Sequence, residues 1–203
     1  MKIICIGRNY ADHAKEMKSE LPTEPIFFMK PDTALLKEGQ DLYLPDLNSE
    51  VHFECELAVK INKAGKHIDQ EFAKNYYSEI TLGLDLTARD LQSKCKEKGL
   101  PWEIAKAFDN SAPVSTQWIN VSNLNMKELS FQFFQNGNLK QTGFIKDMIF
   151  SIDELISYVS RFVTLKTGDL LFTGTPAGVG PIQIGDKLEG FLEGNKLFEF
   201  YVK

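Results

Sequence analysis

The sequence predicts a mainly β fold with peripheral helices, an α+β arrangement, and three observations carry that expectation. Segments with strand patterning outnumber helical ones, two glycine-containing hairpin signals occupy the second half of the chain, and strands do not alternate regularly with helices as in a doubly wound sheet. A β-sandwich or a rolled sheet suits this pattern. The 203 residues contain no internal repeat, and Gly and Pro are spread as punctuation rather than gathered in a linker, so residues 1–203 read as one domain.

In chain order, residues 2–7 read as a short strand ending at Gly7-Arg8-Asn9, and Tyr10 to about Met17 reads as one or two polar helical turns. Extended segments are expected at 26–30, 41–44, 51–62 and 80–86. A helix is expected from Thr87, whose hydroxyl can cap the amide of Asp90, through Leu91 and Cys95 to Gly99, just before Pro101. Lys94, Lys96 and Lys98 near its end suit the negative pole of the helix dipole. Segment 130–144 reads as a hairpin turning at Asn136-Gly137, and 188–202 as another turning at Glu193-Gly194-Asn195. Between them, apolar residues at 152, 155, 156, 159, 162 and 163 have helical spacing, with Ser151 and Glu154 placed as a capping box.

Composition removes several function classes. The charge is −5, with basic residues dispersed along the chain, which disfavours a nucleic-acid partner. No apolar run approaches the roughly 18–20 residues of a membrane span, and Ile3–Ile6 is too short for a signal peptide. Cys5, Cys55 and Cys95 are odd in number and lack CxxC spacing, so a reducing cytoplasm is expected and a thiolate zinc site is not. Cys55 shares a strand face with Phe53 and Leu57 and reads as a buried small hydrophobe rather than a nucleophile. GxSxG, HExxH, GxxxxGK[ST] and GxGxxG motifs are all missing.

The most informative stretch is 51–61, whose two faces separate at period two. Val51, Phe53, Cys55, Leu57, Val59 and Ile61 share one side; His52, Glu54, Glu56, Ala58 and Lys60 share the other. Glu54 and Glu56 are therefore same-face neighbours about 7 Å apart along the strand. Charges on an outer strand face ordinarily meet water, which is the plain reading. In Thr81–Thr87, Leu82, Leu84 and Leu86 oppose Gly83, Asp85 and Thr87, so Asp85 sits among small residues in a segment where Asp and Gly are both disfavoured. If Glu54, Glu56 and Asp85 converge, each pair about 4 Å apart repels by roughly 4 kcal/mol at an effective dielectric of 20, which a cation would relieve. An all-oxygen donor set suits Mg²⁺ or Mn²⁺ better than zinc. The alternative is that Asp85 only meets the following helix N-terminus.

Three further features stay open on sequence grounds. His13 and Glu16 are three apart, which makes them a general-base pair or an ordinary surface pair. Lys106 lies in a mostly apolar segment, as an exposed helix lysine or a partner for a developing oxyanion. The stretch Thr173-Gly-Thr-Pro-Ala-Gly-Val-Gly180 lacks the lysine of a phosphate loop and reads as a tight turn, structural or presenting amides and Thr175 to a substrate.

Seven segments, in order, resemble the fumarylacetoacetate hydrolase superfamily, in particular its short branch of acylpyruvate hydrolases and oxaloacetate decarboxylases. They are Gly7–His13, Pro25–Pro31, His52–Leu57, Asp85–Gln92, Lys98–Trp102 with Ala105–Phe108, Met148–Ile152 and Thr173–Pro176. The resemblance runs nearly end to end and implies a rolled mixed β-sheet, a homodimer, and Mg²⁺ or Mn²⁺ held by Glu54, Glu56 and Asp85. It also implies that Arg8, Lys30, Gln92 and Lys106, with Thr175 nearby, surround an α-keto or β-diketo acid, and that His13 with Glu16 activates water from a lid. One local difference is Gly143-Phe-Ile-Lys-Asp147, where relatives carry small polar residues before an Asp-Met or Ser-Met pair. The implied reaction is hydrolysis of the C–C bond of acylpyruvates. Oxaloacetate decarboxylation or keto-enol tautomerisation at the same site is the alternative, and non-catalytic keto-acid binding the third reading.

Overall fold

The computed structural model describes all residues 1–203 and is mainly β. The largest sheet runs in the order β2 (Ile26–Lys30), β1 (Ile3–Gly7), β12 (Leu170–Phe172), β5 (Cys55–Ile61), β6 (Tyr77–Leu84), β8 (Ala112–Val114), β3 (Leu35–Lys37), with β9 (Ile119–Asn120) also paired to β6. The β1–β12 and β3–β8 pairs are parallel and the others antiparallel, so this curled sheet is mixed. A second sheet, β11 (Asn138–Phe144), β10 (Ser130–Gln135), β14 (Lys187–Leu192) and β15 (Asn195–Tyr201), contains both expected hairpins. Asn136 and Gly137 have φ of 54° and 76°, and Glu193 and Gly194 have 48° and 76°, the paired positive values of tight hairpin turns. A small third sheet joins β13 (Gly180–Pro181), β4 (Val51–Phe53) and β7 (Thr87–Ala88).

Side-chain alternation sends each face of the large sheet into its own core. Ile4, Ile6, Leu57, Val59, Leu82 and Leu84 join Phe131, Phe133 and Phe198 of the second sheet, whereas Ile3, Cys5, Ala58 and Phe172 pack on the opposite face. Gly83 lies on that opposite face, where a Cβ would fall 2.7 Å from the Phe172 ring and 2.9 Å from the Pro113 carbonyl oxygen. The helices are short: α1 (Ala11–Glu16), α2 (Gln70–Ala73), α3 (Arg89–Lys98), α4 (Glu103–Lys106) and α5 (Ile152–Phe162). Only α5 is opened by a complete capping box, with Ser151 Oγ accepting from Glu154 N at 3.3 Å and Ser151 N donating to Glu154 at 2.7 Å. No helix is long and apolar enough to cross a membrane.

The structure corrects several sequence expectations. Segment 51–62 is two strands, not one, and β4 and β5 belong to different sheets. Segment 41–44 forms no strand; Leu42 makes one isolated parallel bridge to Val202 because only the C-terminal residues lie alongside it. The strand expected at 80–86 is β6, which begins at Tyr77 and ends at Leu84. Asp85 and Leu86 leave the ladder, their amides donating to the carbonyls of Glu54 and Ser111 at 2.8 and 2.9 Å. Thr87 does not cap α3. It pairs with His52 in β7, its hydroxyl donates to the Asp85 carbonyl at 3.2 Å, and the Asp90 amide donates instead to Ser49 Oγ at 3.2 Å. The C-terminal half of that expectation holds, since α3 stops at Gly99 with φ 62°.

Candidate active site

The break between β4 and β5 builds the site. At Glu54 the chain changes sheets, so the Cys55 amide has no ladder partner and donates to Gln141 Oε1 from β11 at 2.9 Å. The Gln141 amide group in turn donates to Thr175 Oγ1 and the Pro176 carbonyl, both at 2.8 Å. The Thr173–Thr175 turn zips onto β5 from the other side. Thr173 and Thr175 hydroxyls donate to the Leu57 and Cys55 carbonyls at 3.0 and 2.8 Å, and the Gly174 amide donates to Glu56 Oε2 at 2.7 Å. Period two then places Glu54 and Glu56 on one side of the strand, and the departure of Asp85 from β6 brings a third carboxylate over them.

Glu54, Glu56 and Asp85 offer oxygens that all lie within 4.8 Å of one another, and all three residues are buried. The solvated-face reading of Glu54 and Glu56 is therefore wrong for this chain, as is the reading of Asp85 as a partner of the α3 N-terminus. Lys106 on α4 is buried, not exposed, and its Nζ bridges Glu54 Oε2 at 2.8 Å and Asp85 Oδ2 at 2.7 Å. Arg89, in the first turn of α3, reaches Glu54 Oε1 at 2.7 Å and Gln92 Oε1 at 2.9 Å. Lys30, at the end of β2, lies 2.7 Å from Asp85 Oδ1, but its hydrogen bonds go to the carbonyls of Ser111 at 2.8 Å and Leu86 at 3.2 Å.

These contacts set the electrostatics. Burial favours the neutral form of Glu54, yet Lys106, Arg89 and His13 outweigh it and hold the carboxyl well below the usual range. Burial likewise opposes the charge on Lys106, and Asp85 and Glu54 reverse that, keeping it firmly ammonium. Glu56 has no cationic partner in hydrogen-bond contact. Burial, then the charges of Asp85 and Glu54, push its carboxyl well above the carboxylate range despite the Gly174 amide.

The residues present fit a divalent cation. The donor set is all oxygen, Asp85 Oδ1 is buried with only the Lys30 ammonium beside it, and Glu56 is a buried carboxyl with no cation in contact. Glu54, Glu56 and Asp85 are the residues that would hold it. A cavity opens over them, lined also by Arg8, His13, Arg89, Gln92, Lys96, Trp102, Lys106 and Thr175. Lys30 does not line it. Gln92 is buried on α3 and Thr175 sits at the turn, while Arg8 follows β1 with a positive φ of 60°, an uncommon conformation for a non-glycine residue. The Gly143–Asp147 segment lies outside the cavity lining, in the end of β11 and the 3-10 turn that follows.

His13 and Glu16 come together on α1. His13 Nδ1 lies 3.1 Å from Glu16 Oε2, and Glu16 Oε1 accepts from the Gly178 amide at 3.0 Å, so Glu16 ties α1 to the 173–180 turn. A carboxylate only accepts, which puts a proton on Nδ1, so that in the neutral ring Nε2 is the acceptor. Asn9, buried at the root of α1, donates to the Thr173 and Phe150 carbonyls at 2.8 and 3.0 Å and accepts from the Phe150 amide at 2.8 Å. Cys55, pushed up by burial and then by Glu56, is no nucleophile.

Sequence reasoning from spacing did not single out Arg89 or Gln141. Arg89 had one available signal, its i, i+3 relation to Gln92 on a helix starting beside Asp85. Gln141 had none, because it acts from another sheet, 86 residues away from Cys55.

The model of the fumarylacetoacetate hydrolase C-terminal family matches residues 2–201. The chain is 45% identical over 201 residues to the mouse mitochondrial oxaloacetate tautomerase FAHD1, covering 99% of this chain and 91% of that protein. It is 43% identical over 191 residues to the mitochondrial oxaloacetate decarboxylase of Dictyostelium discoideum, covering 93% and 87%. A fumarylpyruvate hydrolase from Pseudomonas aeruginosa, solved in complex with Mn²⁺ and pyruvate, superposes with a TM-score of 0.92 at 38% identity, over 100% of this chain and 89% of that one.

Proposed function

The chain belongs to the fumarylacetoacetate hydrolase C-terminal family, and from that premise we propose that it catalyses metal-dependent enolisation of oxaloacetate, as a tautomerase and decarboxylase. The observation that carries this is the buried trio Glu54, Glu56 and Asp85 beside the fixed ammonium of Lys106, at 2.8 and 2.7 Å from two of them. The names of the two oxaloacetate enzymes, 45% and 43% identical, support ranking enolisation above the acylpyruvate hydrolysis that the sequence resemblance put first.

A divalent cation bound by the trio would supply Lewis acidity, withdrawing electron density from a keto acid's 2-oxo group. The chain's own groups do the rest. Lys106 holds positive charge beside the oxygen that becomes an enolate, in a site where water does not weaken it. In tautomerisation a proton leaves C3 and one reaches the 2-oxygen, and His13 Nε2 is the acceptor available to hold it. In decarboxylation the C3–C4 bond breaks, its electron pair forms the C2–C3 double bond of pyruvate enolate with the negative charge on the 2-oxygen, carbon dioxide leaves and C3 is later protonated. Arg89 and Gln92 keep Glu54 oriented, and Glu16 fixes the His13 ring.

Acylpyruvate hydrolysis remains a second reading, favoured by one observation, the His13–Glu16 pair at 3.1 Å, which suits activation of an attacking water. The same reading takes residues 1–203 as one catalytic domain acting as a homodimer without nucleic acid, with Mg²⁺ or Mn²⁺ as the ion. Three free buried cysteines suit a reducing compartment such as the cytoplasm.

The test follows the enol–keto conversion and loss of oxaloacetate, and pyruvate release from acetylpyruvate, with Mg²⁺, with Mn²⁺ and with EDTA, for wild type and Glu54→Ala. Metal-dependent turnover of oxaloacetate that Glu54→Ala abolishes is the expected result; turnover unaffected by EDTA overturns the proposal. His13→Ala is expected to cut acetylpyruvate hydrolysis more than decarboxylation, and equal losses would remove the water-activating role.

A further inference from the structure

The cations around the cavity fall into two groups. Lys30, Lys106 and Arg89 are each within 2.7–2.8 Å of Asp85 or Glu54, so these three positive charges are already engaged with carboxylates of the trio. Arg8 and Lys96 also line the cavity and have no carboxylate within ion-pair distance. Lys96 projects from the last turns of α3 with its Nζ 5.5 Å from the centre of the Trp102 ring, itself a wall of the cavity. That contact holds an otherwise flexible ammonium beside the cavity wall. Arg8 is fixed by the Gly7-Arg8-Asn9 loop, whose positive φ at Arg8 is held in place by the buried Asn9 clamp.

We propose that Lys96, with Arg8 beside the same cavity, is a specificity residue that binds the second carboxylate of the substrate, so the site selects four-carbon dianionic keto acids over monoanionic acylpyruvates. The inference rests on the keto-acid reading above and goes further by naming the residue that distinguishes the substrate classes. A monoanion spends its one carboxylate at the metal end and leaves two unpaired cations at the cavity; a dianion pairs them. Partial burial, followed by repulsion from Arg89 and Arg8 and partly offset by Glu54, pushes the Lys96 amine down to about 8, although the residue as a whole is exposed.

The experiment uses a non-reacting pair that differs only in the distal carboxylate, racemic malate and racemic lactate, titrated calorimetrically into the Mg²⁺-loaded protein. Wild type is expected to bind malate at least about tenfold tighter than lactate, Lys96→Met to lose that preference with lactate affinity unchanged, and Lys96→Arg to keep it. The matching kinetic result is a higher KM for oxaloacetate in Lys96→Met, with kcat/KM for acetylpyruvate unchanged. Equal malate and lactate binding in wild type, or a Lys96→Met loss shared by both ligands, overturns the proposal. Because binding is read without turnover, a protein that ignores oxaloacetate as a substrate but shows the Lys96-dependent malate preference fails the reaction reading alone.

Discussion

Two lattices of ion pairs, similar in chemistry and size, sit in opposite environments. In the site, Lys30, Lys106 and Arg89 meet Asp85 and Glu54 in four pairs of 2.7–2.8 Å, all with side chains at most 13% exposed. On the second sheet, Lys187 and Lys196 meet Glu189 and Glu199 in four pairs of 2.7–3.5 Å, with both lysine side chains at least 35% exposed. Water screens the second lattice and can replace any lost partner, so its worth is small. Nothing replaces a lost partner in the first, where breaking a pair strands a buried charge. The buried lattice is also incomplete, because Glu56 adds a carboxyl with no cation of its own. A stable fold gains little from that arrangement, whereas a metal site requires it.

The largest expected effect breaks the buried lattice. Lys106→Met leaves Glu54 and Asp85 facing each other and should cost about 3–5 kcal/mol in urea unfolding without metal. The same variant should lose roughly 10²–10³-fold in oxaloacetate turnover with Mg²⁺ present. A stability loss under 1 kcal/mol would show that the burial of this lattice is relieved by water.

Next comes pH. A carboxyl raised by folding binds its proton more tightly in the native state, so its contribution to stability falls as pH rises above the ordinary carboxylate value, about 4.3. For Glu56 this predicts that the metal-free protein loses stability relative to Glu56→Gln as pH rises, measured by urea midpoints in EDTA. Mg²⁺ should remove the difference and release a proton, seen by calorimetry in buffers of different ionisation enthalpy. Glu54 has the opposite sign: its stabilisation is present above the ordinary value and is lost as pH falls toward its depressed one. Parallel pH curves for wild type and Glu56→Gln would contradict the uncompensated carboxyl.

A salt titration sharpens the contrast further. The destabilisation caused by Lys106→Met should persist in 1 M NaCl, where the screening length is about 3 Å, since dissolved ions do not enter the buried site. The smallest effect belongs to the exposed lattice. Lys196→Met should leave the urea midpoint unchanged within error at high salt, even though Glu199 is held down to about 2 by hydrogen bonds from Lys196 and Lys187.

The sequence was most informative where structure is local. Asn136-Gly137 and Glu193-Gly194 announce their turns because the required positive φ values belong to those residues themselves. Ser151 and Glu154 announce α5 because both halves of the capping box lie within one turn. Period-two patterning isolated Glu54 and Glu56, because one strand suffices to show which residues share a face. It was silent on the break at Glu54, which depends on Gln141 from another sheet. It also assigned the cap of α3 to Thr87, since spacing could not anticipate Ser49 donated from 41 residues away.

The amino-acid sequence by itself therefore determined the turns, the capped helix, the faces of the strands and, through resemblance, the family. Each depends on backbone preferences within a few neighbouring residues or on a run of matching segments. Only the tertiary structure decided that Glu54 and Glu56 are buried rather than solvated, that Lys30 stands against Asp85 outside the cavity, and that Arg8 and Lys96 are left without carboxylates. Charge energetics depend on burial and on which distant groups converge, and both are set by pairings between segments tens of residues apart.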